Sequence, residues 1–265
     1  LLGRVGHMPP TWTNLLLAVL PPEPFMDVVY GLNLFLASCF LVAFLRRRGL
    51  GWTAAVCGAL TAFWLGSNLT LVLPGHLEKY AVLLFASITL YSLERTLDGQ
   101  CLRWSLISGG SLGMMFLHQP DVALFFGLLL GAYFLHGLLT RVGPHPRALV
   151  RCALPLWLPA LLLVGNSYRH AMETQVRNVP LLQQGSEEEQ WNFTTQWSWP
   201  PGESLDLVAP GYFGWHSGHA EAPYHGIMGR DARFDTEGVG LRNFKLESQY
   251  LGILPFAFAL LALFG

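Results

Sequence analysis

Charged residues are scarce in this sequence, and their scarcity argues against an ordinary soluble domain. Only 12% of the 265 residues are Asp, Glu, Lys or Arg, about half of the ~25% that is typical of soluble proteins. The net charge of −1 provides no excess of basic residues, so nucleic acid is not a predicted partner. The residues present in excess are hydrophobic, at 52%. This balance indicates an integral membrane protein.

Cysteine is also sparse, and a conventional start is missing. The cysteines lie in apolar stretches or near arginines, so neither a disulfide framework nor a zinc site is predicted. They are Cys39, Cys57, Cys101 and Cys152. No signal peptide opens the chain, which begins Leu1-Leu2 and ends inside an apolar run. We therefore expect it to be an internal piece of a larger protein.

Seven apolar stretches, most of them long enough to cross a ~30 Å hydrocarbon core as helices, dominate what is there. They cover about 26–45, 52–73, 80–97, 103–117, 122–140 and 149–165, and a seventh starts near residue 250. The predicted fold class is an all-α polytopic membrane protein with about seven transmembrane helices. Residues 1–25 are interpreted as the tail of an extracytoplasmic loop, 26–165 as a six-span bundle and 249–265 as the start of the last helix. Residues 166–248 are expected to form a long extracytoplasmic region of mixed or irregular structure.

The arginines fix the predicted orientation. Arg46, Arg47 and Arg48 lie in the short turn between the first two stretches, and such clusters mark the cytoplasmic side. The short loops assigned to that side contain eight of the 16 basic residues, whereas those assigned outside contain only Lys79. We expect a multi-pass protein of a bacterial inner membrane, with the 166–248 region outside the cytoplasm.

The fourth stretch has features of its own. Its 15 or so residues make ~22 Å of helix, so the residues that follow, 118–121, are expected to dip below the outer membrane surface. Gly109 and Gly113, and likewise Gly127 and Gly131 in the fifth stretch, form pairs of small residues four apart. Such pairs allow close helix approach, and we expect these two helices to form a tight hairpin.

Polar side chains gather at the predicted outer ends of the spans. They are His76, Glu78, Lys79, His118 and Asp121. Ionisable groups at such places indicate a functional site, and this set suits general base catalysis, phosphate binding or a divalent cation. The competing interpretation is structural: Asp121 stabilises a helix N-terminus, and Glu78 with Lys79 is a solvated pair.

The 166–248 region combines acids with aromatic residues. Trp199, Glu203, Tyr212 and Trp215 are candidates for binding a sugar, with ring faces stacked on the pyranose and carboxylates bonded to its hydroxyls. The alternative is an aromatic belt at the lipid headgroup level. His216, His219 and His225, around Glu221, match no zinc signature, and no metal site is predicted from them.

Several motifs, in order along the chain, resemble the YfhO-like family of bacterial multi-span membrane proteins. They are 31–36 (GLNLFL), 44–50 (FLRRRGL), 117–124 (LHQPDVAL), 199–203 (WPPGE), 210–214 (PGYFG), 224–226 (YHG) and 250–255 (YLGILP). His225 stands where that family usually has an aromatic residue. The family is similar in architecture to the glycosyltransferase C superfamily.

The resemblance implies transfer of a sugar from a polyprenyl-phosphate carrier to an envelope acceptor on the extracytoplasmic face. Lys79, Arg169 and Arg177 are then candidates for binding the phosphate, and His76, Glu78, His118 and Asp121 for catalytic roles. The main catalytic acid of the superfamily usually lies in the first outer loop, so it is expected upstream of this chain.

Two other functions remain open from the sequence. The chain suits a non-catalytic structural or assembly subunit of a larger membrane complex, with other membrane subunits as partners. A transporter with broken helices is the third interpretation, which the short fourth stretch suggests. No cofactor is required by any of these, although a divalent cation is compatible with the outer polar set.

Overall fold

A computed structural model gives the fold, and its regular elements are all helical. It describes residues 11–72, 75–99, 101–142, 146–172, 186–195, 198–215, 224–229, 250 and 252–264. Within these ranges there is no β-strand. The chain divides into two compact units, one from residues 1–63 and 77–171 and the other from 64–76 and 172–265.

The first unit is a bundle of seven helices among the described residues. In chain order they are α1 (Trp12–Val19), α2 (Pro22–Arg47), α3 (Trp52–Phe63), α5 (Leu77–Leu97), α6 (Cys101–His118), α7 (Pro120–Gly137) and α8 (Pro146–Ala171). Helix α4 (Gly66–Leu69) belongs to the other unit. A π-helical turn, Leu138–Val142, extends α7. The core lies among α5, α6, α7 and α8, around Val82, Met115 and Leu130.

The second unit has less regular structure in its described parts. Its elements are α4 (Gly66–Leu69), a 3-10 turn (Thr70–Val72), α9 (Glu187–Thr195), a 3-10 helix (Pro201–Leu207) and α10 (Ile253–Phe264). Among the described residues after α9 and before α10, the 3-10 helix is followed by turns. The long extracytoplasmic loop expected at 166–248 stays a prediction.

A helix occupies each of the seven apolar stretches, so the all-α prediction is confirmed. Among the described residues, two helices, Pro22–Arg47 and Pro120–Val142, are long and apolar enough to cross a membrane, and there are three if the bent pair Trp52–Phe63 and Gly66–Val72 counts as one span. The count of seven spans stays a prediction. The segment predicted as a loop tail contains α1, and α8 continues past residue 165.

Helix α5 is the central element of the first unit. Its polar hydroxyl side chains can be buried because each of them forms a hydrogen bond. It packs against α2, α6 and α7. Ser87, Thr89, Ser92 and Thr96 each donate to the carbonyl four residues earlier, and Ser108 of α6 donates to the Ser92 hydroxyl at 2.8 Å. Small hydroxyl residues therefore allow close helix contact while leaving no unpaired donor among these side chains.

The junction between α6 and α7 differs from the sequence expectation in length. Helix α6 has 18 residues, or ~27 Å, and only Gln119 separates it from α7. Gln119 is extended, with φ −149° and ψ 98°, because the residue before a proline avoids the helical region. Helix α6 therefore ends at His118, two residues before Pro120, and it reaches further than the apolar run alone indicated.

The small residues of α6 serve a different neighbour from the one expected. A Cβ atom on Gly109 would overlap the carbonyl oxygen of Leu156, and one on Gly113 would lie 2.6 Å from the Leu163 Cβ. Both contacts are with α8, which packs on α6 far more extensively than α7 does. Gly127 of α7 does face Phe116 of α6, but Gly131 faces open space. The expected tight hairpin of α6 and α7 is therefore replaced by tight α6–α8 contact.

This contact yields a matched test. Gly109→Ala should destabilise the protein by about 1–3 kcal/mol, because the added methyl group overlaps backbone that cannot move without separating the helices. Gly110→Ala is the control, since its Cβ would meet nothing within 4 Å. Thermal unfolding of the purified protein in detergent measures both. Equal melting temperatures for the two variants would contradict the α6–α8 contact.

Candidate functional site

The site begins with the short helix α1, which is fixed to the bundle by its first residues. Thr11 caps the helix by accepting a hydrogen bond from the Asn14 backbone N–H at 3.2 Å. The Trp12 indole donates to the Asn33 side chain at 3.1 Å, and Asn33 is fully buried and donates to the Val29 carbonyl. Residue 13 is thereby held beside α5 and α6.

Glu78 and His118 are in direct contact, and Thr13 joins them. The Glu78 carboxylate accepts a hydrogen bond from His118 Nδ1. The Thr13 hydroxyl lies 3.4 Å from the same carboxylate oxygen and 3.5 Å from His118 Nδ1. Residues that are 105 positions apart in sequence thus meet where α1, α5 and the end of α6 converge. We call these three residues the Glu78 centre.

Burial differs sharply between the two main members of the Glu78 centre. The His118 side chain is fully buried, whereas 43% of the Glu78 side chain is exposed. The Phe85 ring stacks on the imidazole, with ring centroids 5.6 Å apart. His118 Nε2 is buried and has no hydrogen-bond partner among the described residues. The imidazole is therefore a fixed support, and the carboxylate is the group that can reach a ligand.

This arrangement suits proton transfer or the orientation of a hydroxyl group. A carboxylate held by a buried imidazole and a threonine hydroxyl has little freedom to rotate, which is the preorganisation that a general base needs. Because Nδ1 donates to the carboxylate, a neutral imidazole has its lone pair on Nε2. Both contacts of the Glu78 carboxylate within the Glu78 centre are made by Oε2, which leaves Oε1 without a contact in that centre.

The other predicted members of the outer polar set are neighbours of Glu78 or His118 along the chain. Asp121 is exposed in the first turn of α7, where its charge favours the helix dipole, and the Gln119 amide donates to it at 3.4 Å. Lys79 follows Glu78 on α5 and is half-buried. His76 belongs to the second unit, and its backbone N–H donates to the Leu71 carbonyl at 3.1 Å.

The arginines predicted for the phosphate are not tested by this geometry. Arg169 lies on the helical backbone of α8, but its side chain is outside the described residues, and so is all of Arg177. His216, His219 and Glu221 are outside them too. In the part of the chain that the structure describes, no three His, Cys, Asp or Glu side chains are grouped to hold a metal ion.

Glu203 of the second unit is buried and already has protein partners. The Tyr224 hydroxyl donates to one carboxylate oxygen at 2.7 Å, and the Ile227 backbone N–H donates to the other at 2.6 Å. The same hydroxyl accepts from the Met228 N–H at 2.9 Å. Glu203 therefore ties residues 201–207 to 224–228, and this structure does not present its carboxylate to a sugar.

Asp206 supports the neighbouring turn. Its carboxylate accepts a hydrogen bond from the Phe213 backbone N–H at 3.4 Å, and burial raises the pKa of its carboxyl group above the ordinary value.

Tyr212 and Trp199 are the exposed aromatic residues of this segment, and the Trp199 indole donates to the Ser204 hydroxyl at 3.1 Å. Trp215 packs close to Gly211, whose φ of 69° requires glycine. Of the four predicted sugar contacts, only the two exposed rings keep a surface suited to stacking.

A second polar centre, missed as a site from the sequence, lies at the other end of α5. Glu94 is buried, and its carboxylate accepts from Arg141 at 2.9 Å, from Arg48 at 3.3 Å and from the Tyr133 hydroxyl. Arg47 contacts Asp98 through two nitrogens, at 2.6 and 2.5 Å. We call this group the Glu94 cluster. The sequence did contain a signal for this cluster, because Glu94 is an acid next to short loops that are otherwise rich in arginine.

Thr13 was also missed. The only sequence signal was a Thr-Trp-Thr motif before an apolar run, which is typical of a helix start and does not reveal a contact with residues 65 and 105 positions away.

Comparison with known proteins gives no assignment: no family model, curated protein or solved structure matches this chain.

Tyr224→Phe tests the role assigned to Glu203. It removes a hydroxyl that bonds two buried groups at once, so the segment should lose about 1–3 kcal/mol of local stability. Hydrogen exchange at the Met228 amide should speed up accordingly. Tyr212→Phe, at an exposed ring, is the control and should leave that amide unchanged. Equal protection in both variants would mean that Glu203 does not hold this segment.

Proposed function

We propose that the chain is part of an integral membrane glycosyltransferase in which Glu78 is the general base. The observation that carries the proposal is the contact between a half-exposed Glu78 carboxylate and a buried His118. A buried histidine aimed at a carboxylate near the predicted membrane surface is costly unless it serves a function. The class of donor comes from the resemblance to YfhO-like proteins, which implies a polyprenyl-phosphate sugar.

The position of the Glu78 centre along α5 supports this proposal. Glu78 and Glu94 are 16 residues apart on one helix, so the two polar centres are separated by ~24 Å along its axis. The Glu94 cluster contains the arginines that predict the cytoplasmic side. On that orientation the Glu78 centre faces the extracytoplasmic side, where a polyprenyl-linked sugar is presented to an envelope acceptor.

The proposed reaction is an inverting displacement. The Glu78 carboxylate takes the proton of the acceptor hydroxyl while that oxygen attacks the anomeric carbon. The bond from that carbon to the phosphate oxygen breaks, and polyprenyl phosphate leaves with its electron pair. His118 is a positioning residue, because it is buried and acts through Glu78. Lys79 and Arg169 of the first unit remain the proposed phosphate contacts. The roles of Arg177, Trp199 and Tyr212, which belong to the second unit, stay expectations from the sequence.

Replacement of Glu78 is the direct test. Glu78→Gln should lower the rate of sugar transfer from a polyprenyl-phosphate donor by about 10²–10⁴-fold, the usual contribution of a general base. Glu188→Gln makes the same chemical change at an exposed carboxylate on α9 and should keep full activity. The assay measures incorporation of labelled sugar by membranes that contain the full-length protein at matched expression.

His118→Asn separates positioning from folding. The asparagine amide can replace Nδ1 as a donor to Glu78, so His118→Asn should retain most of kcat. His118→Phe has no donor, so it should lower kcat while KM changes little. A matched loss in thermal stability and in both kinetic constants would indicate a structural role only.

The second candidate function is a non-catalytic subunit, and one contact favours it. Thr13 bonds to Glu78, so the Glu78 centre also anchors α1 to the bundle. If Glu78→Gln retains full transfer activity but loosens α1, the general-base assignment is wrong and the assembly function is favoured.

A further inference from the structure

A cavity of about 320 Å³ lies within the first unit and is separate from the Glu78 centre. Helices α2, α3, α5 and α7 surround it, and its walls include Leu41, Phe44, Phe63, Leu129 and Tyr133. Its volume falls at the lower end of the ~300–1,000 Å³ range of small-molecule sites. It therefore has room for part of an elongated apolar molecule.

The walls of the cavity give water almost nothing to bind. Of the lining residues only Ser87 and Tyr133 carry a polar side-chain atom. The Ser87 hydroxyl donates to the Leu83 carbonyl at 3.0 Å, and the Tyr133 hydroxyl donates to Glu94. A buried water needs two to four polar partners, so an alkyl chain is a better occupant than water.

One residue connects this cavity to the Glu94 cluster. Tyr133 lines the cavity with its ring, packs edge-on against Phe44 at 5.9 Å and places its hydroxyl on Glu94. Arg48 and Arg141 bind that same carboxylate. The apolar chamber and the guanidinium groups are therefore adjacent parts of one amphipathic surface.

The charges of the Glu94 cluster complement an anion. Its arginines are Arg47, Arg48 and Arg141, and its acids are Glu94 and Asp98, so one positive charge is left over. The Arg48 side chain is 44% exposed and reaches Glu94 at only 3.3 Å, which leaves it able to bind a second acceptor. Basic pockets between transmembrane helices at the cytoplasmic side bind anionic lipid headgroups.

We propose that this surface binds one anionic phospholipid from the leaflet on the arginine side. One acyl chain occupies the apolar cavity, and the phosphodiester contacts Arg48 and Arg141. The lipid is chosen over a protein partner because α2 and α7, which line the cavity, both have the length and apolarity of membrane spans. This site is independent of the proposed sugar transfer, which uses the other end of α5.

Native mass spectrometry of the full-length protein tests the proposal with two lipids. Dioleoyl phosphatidylglycerol and dioleoyl phosphatidylcholine have the same chains and differ in headgroup charge. The protein should retain one phosphatidylglycerol at least about fivefold more tightly, the preference expected for one basic residue near an anionic headgroup. Equal retention of the two lipids would overturn the headgroup assignment.

Paired variants separate the headgroup from the acyl chain. Arg48→Gln should lower phosphatidylglycerol retention about fivefold, whereas Arg103→Gln makes the same charge change on α6 and should have no effect. Leu129 lies at the exposed rim of the cavity, so Leu129→Trp should obstruct it and reduce retention of both lipids, whereas Leu128→Trp alters an equally exposed neighbour that does not line the cavity. Equal effects within either pair would overturn the proposal, and thermal unfolding identifies any variant that is misfolded. If Leu129→Trp is misfolded, the arginine pair still decides.

Competition with glycerol phosphate tests whether the acyl chains are needed for binding. It carries the anionic group without acyl chains and should not displace the bound lipid at equal concentration. Displacement would show that the surface recognises phosphate alone and would overturn the lipid assignment.

Discussion

A buried carboxylate, Glu94, is the constraint around which the first unit is organised. An unpaired charge in an apolar interior costs several kcal/mol, so Glu94 requires the guanidinium groups of Arg48 and Arg141 and the hydroxyl of Tyr133. These partners come from the end of α2, from the turn after α7 and from α7 itself. Satisfying one side chain therefore fixes the ends of three helices and brings the arginine-bearing turns together.

Each end of α5 has a carboxylate held by basic side chains, but the two ends differ in which partner is buried. At Glu94 the carboxylate is buried and the arginines are partly exposed, whereas at Glu78 the carboxylate is partly exposed and the histidine is buried. The first arrangement uses its charge internally and leaves an excess of positive charge at its surface. The second leaves part of a carboxylate side chain exposed. This difference in burial is why catalysis is proposed at Glu78 and lipid binding beside Glu94.

Between these ends, close helix contact depends on residues that have little or no side chain. Gly109 and Gly113 bring α6 against α8, and the hydroxyls of α5 bond to their own helix backbone. The sequence identified the small-residue pairs correctly but assigned them to the wrong neighbour. A row of glycines along a helix indicates that another helix packs closely against it. It does not identify the neighbouring helix, because that depends on how all the helices are arranged around α5.

The sequence by itself determined the all-α class, the seven apolar helices and the boundary at Pro120, because apolar run length and proline geometry act locally. It also selected Glu78 and His118 as candidates, since ionisable residues are rare in such stretches. Only the tertiary structure decided that those two touch, that Thr13 joins them, that Asp121 does not, and that Glu203 is enclosed by its own segment. Contacts between residues 21 to 105 positions apart arise from helix arrangement, and no local pattern in the chain records that arrangement.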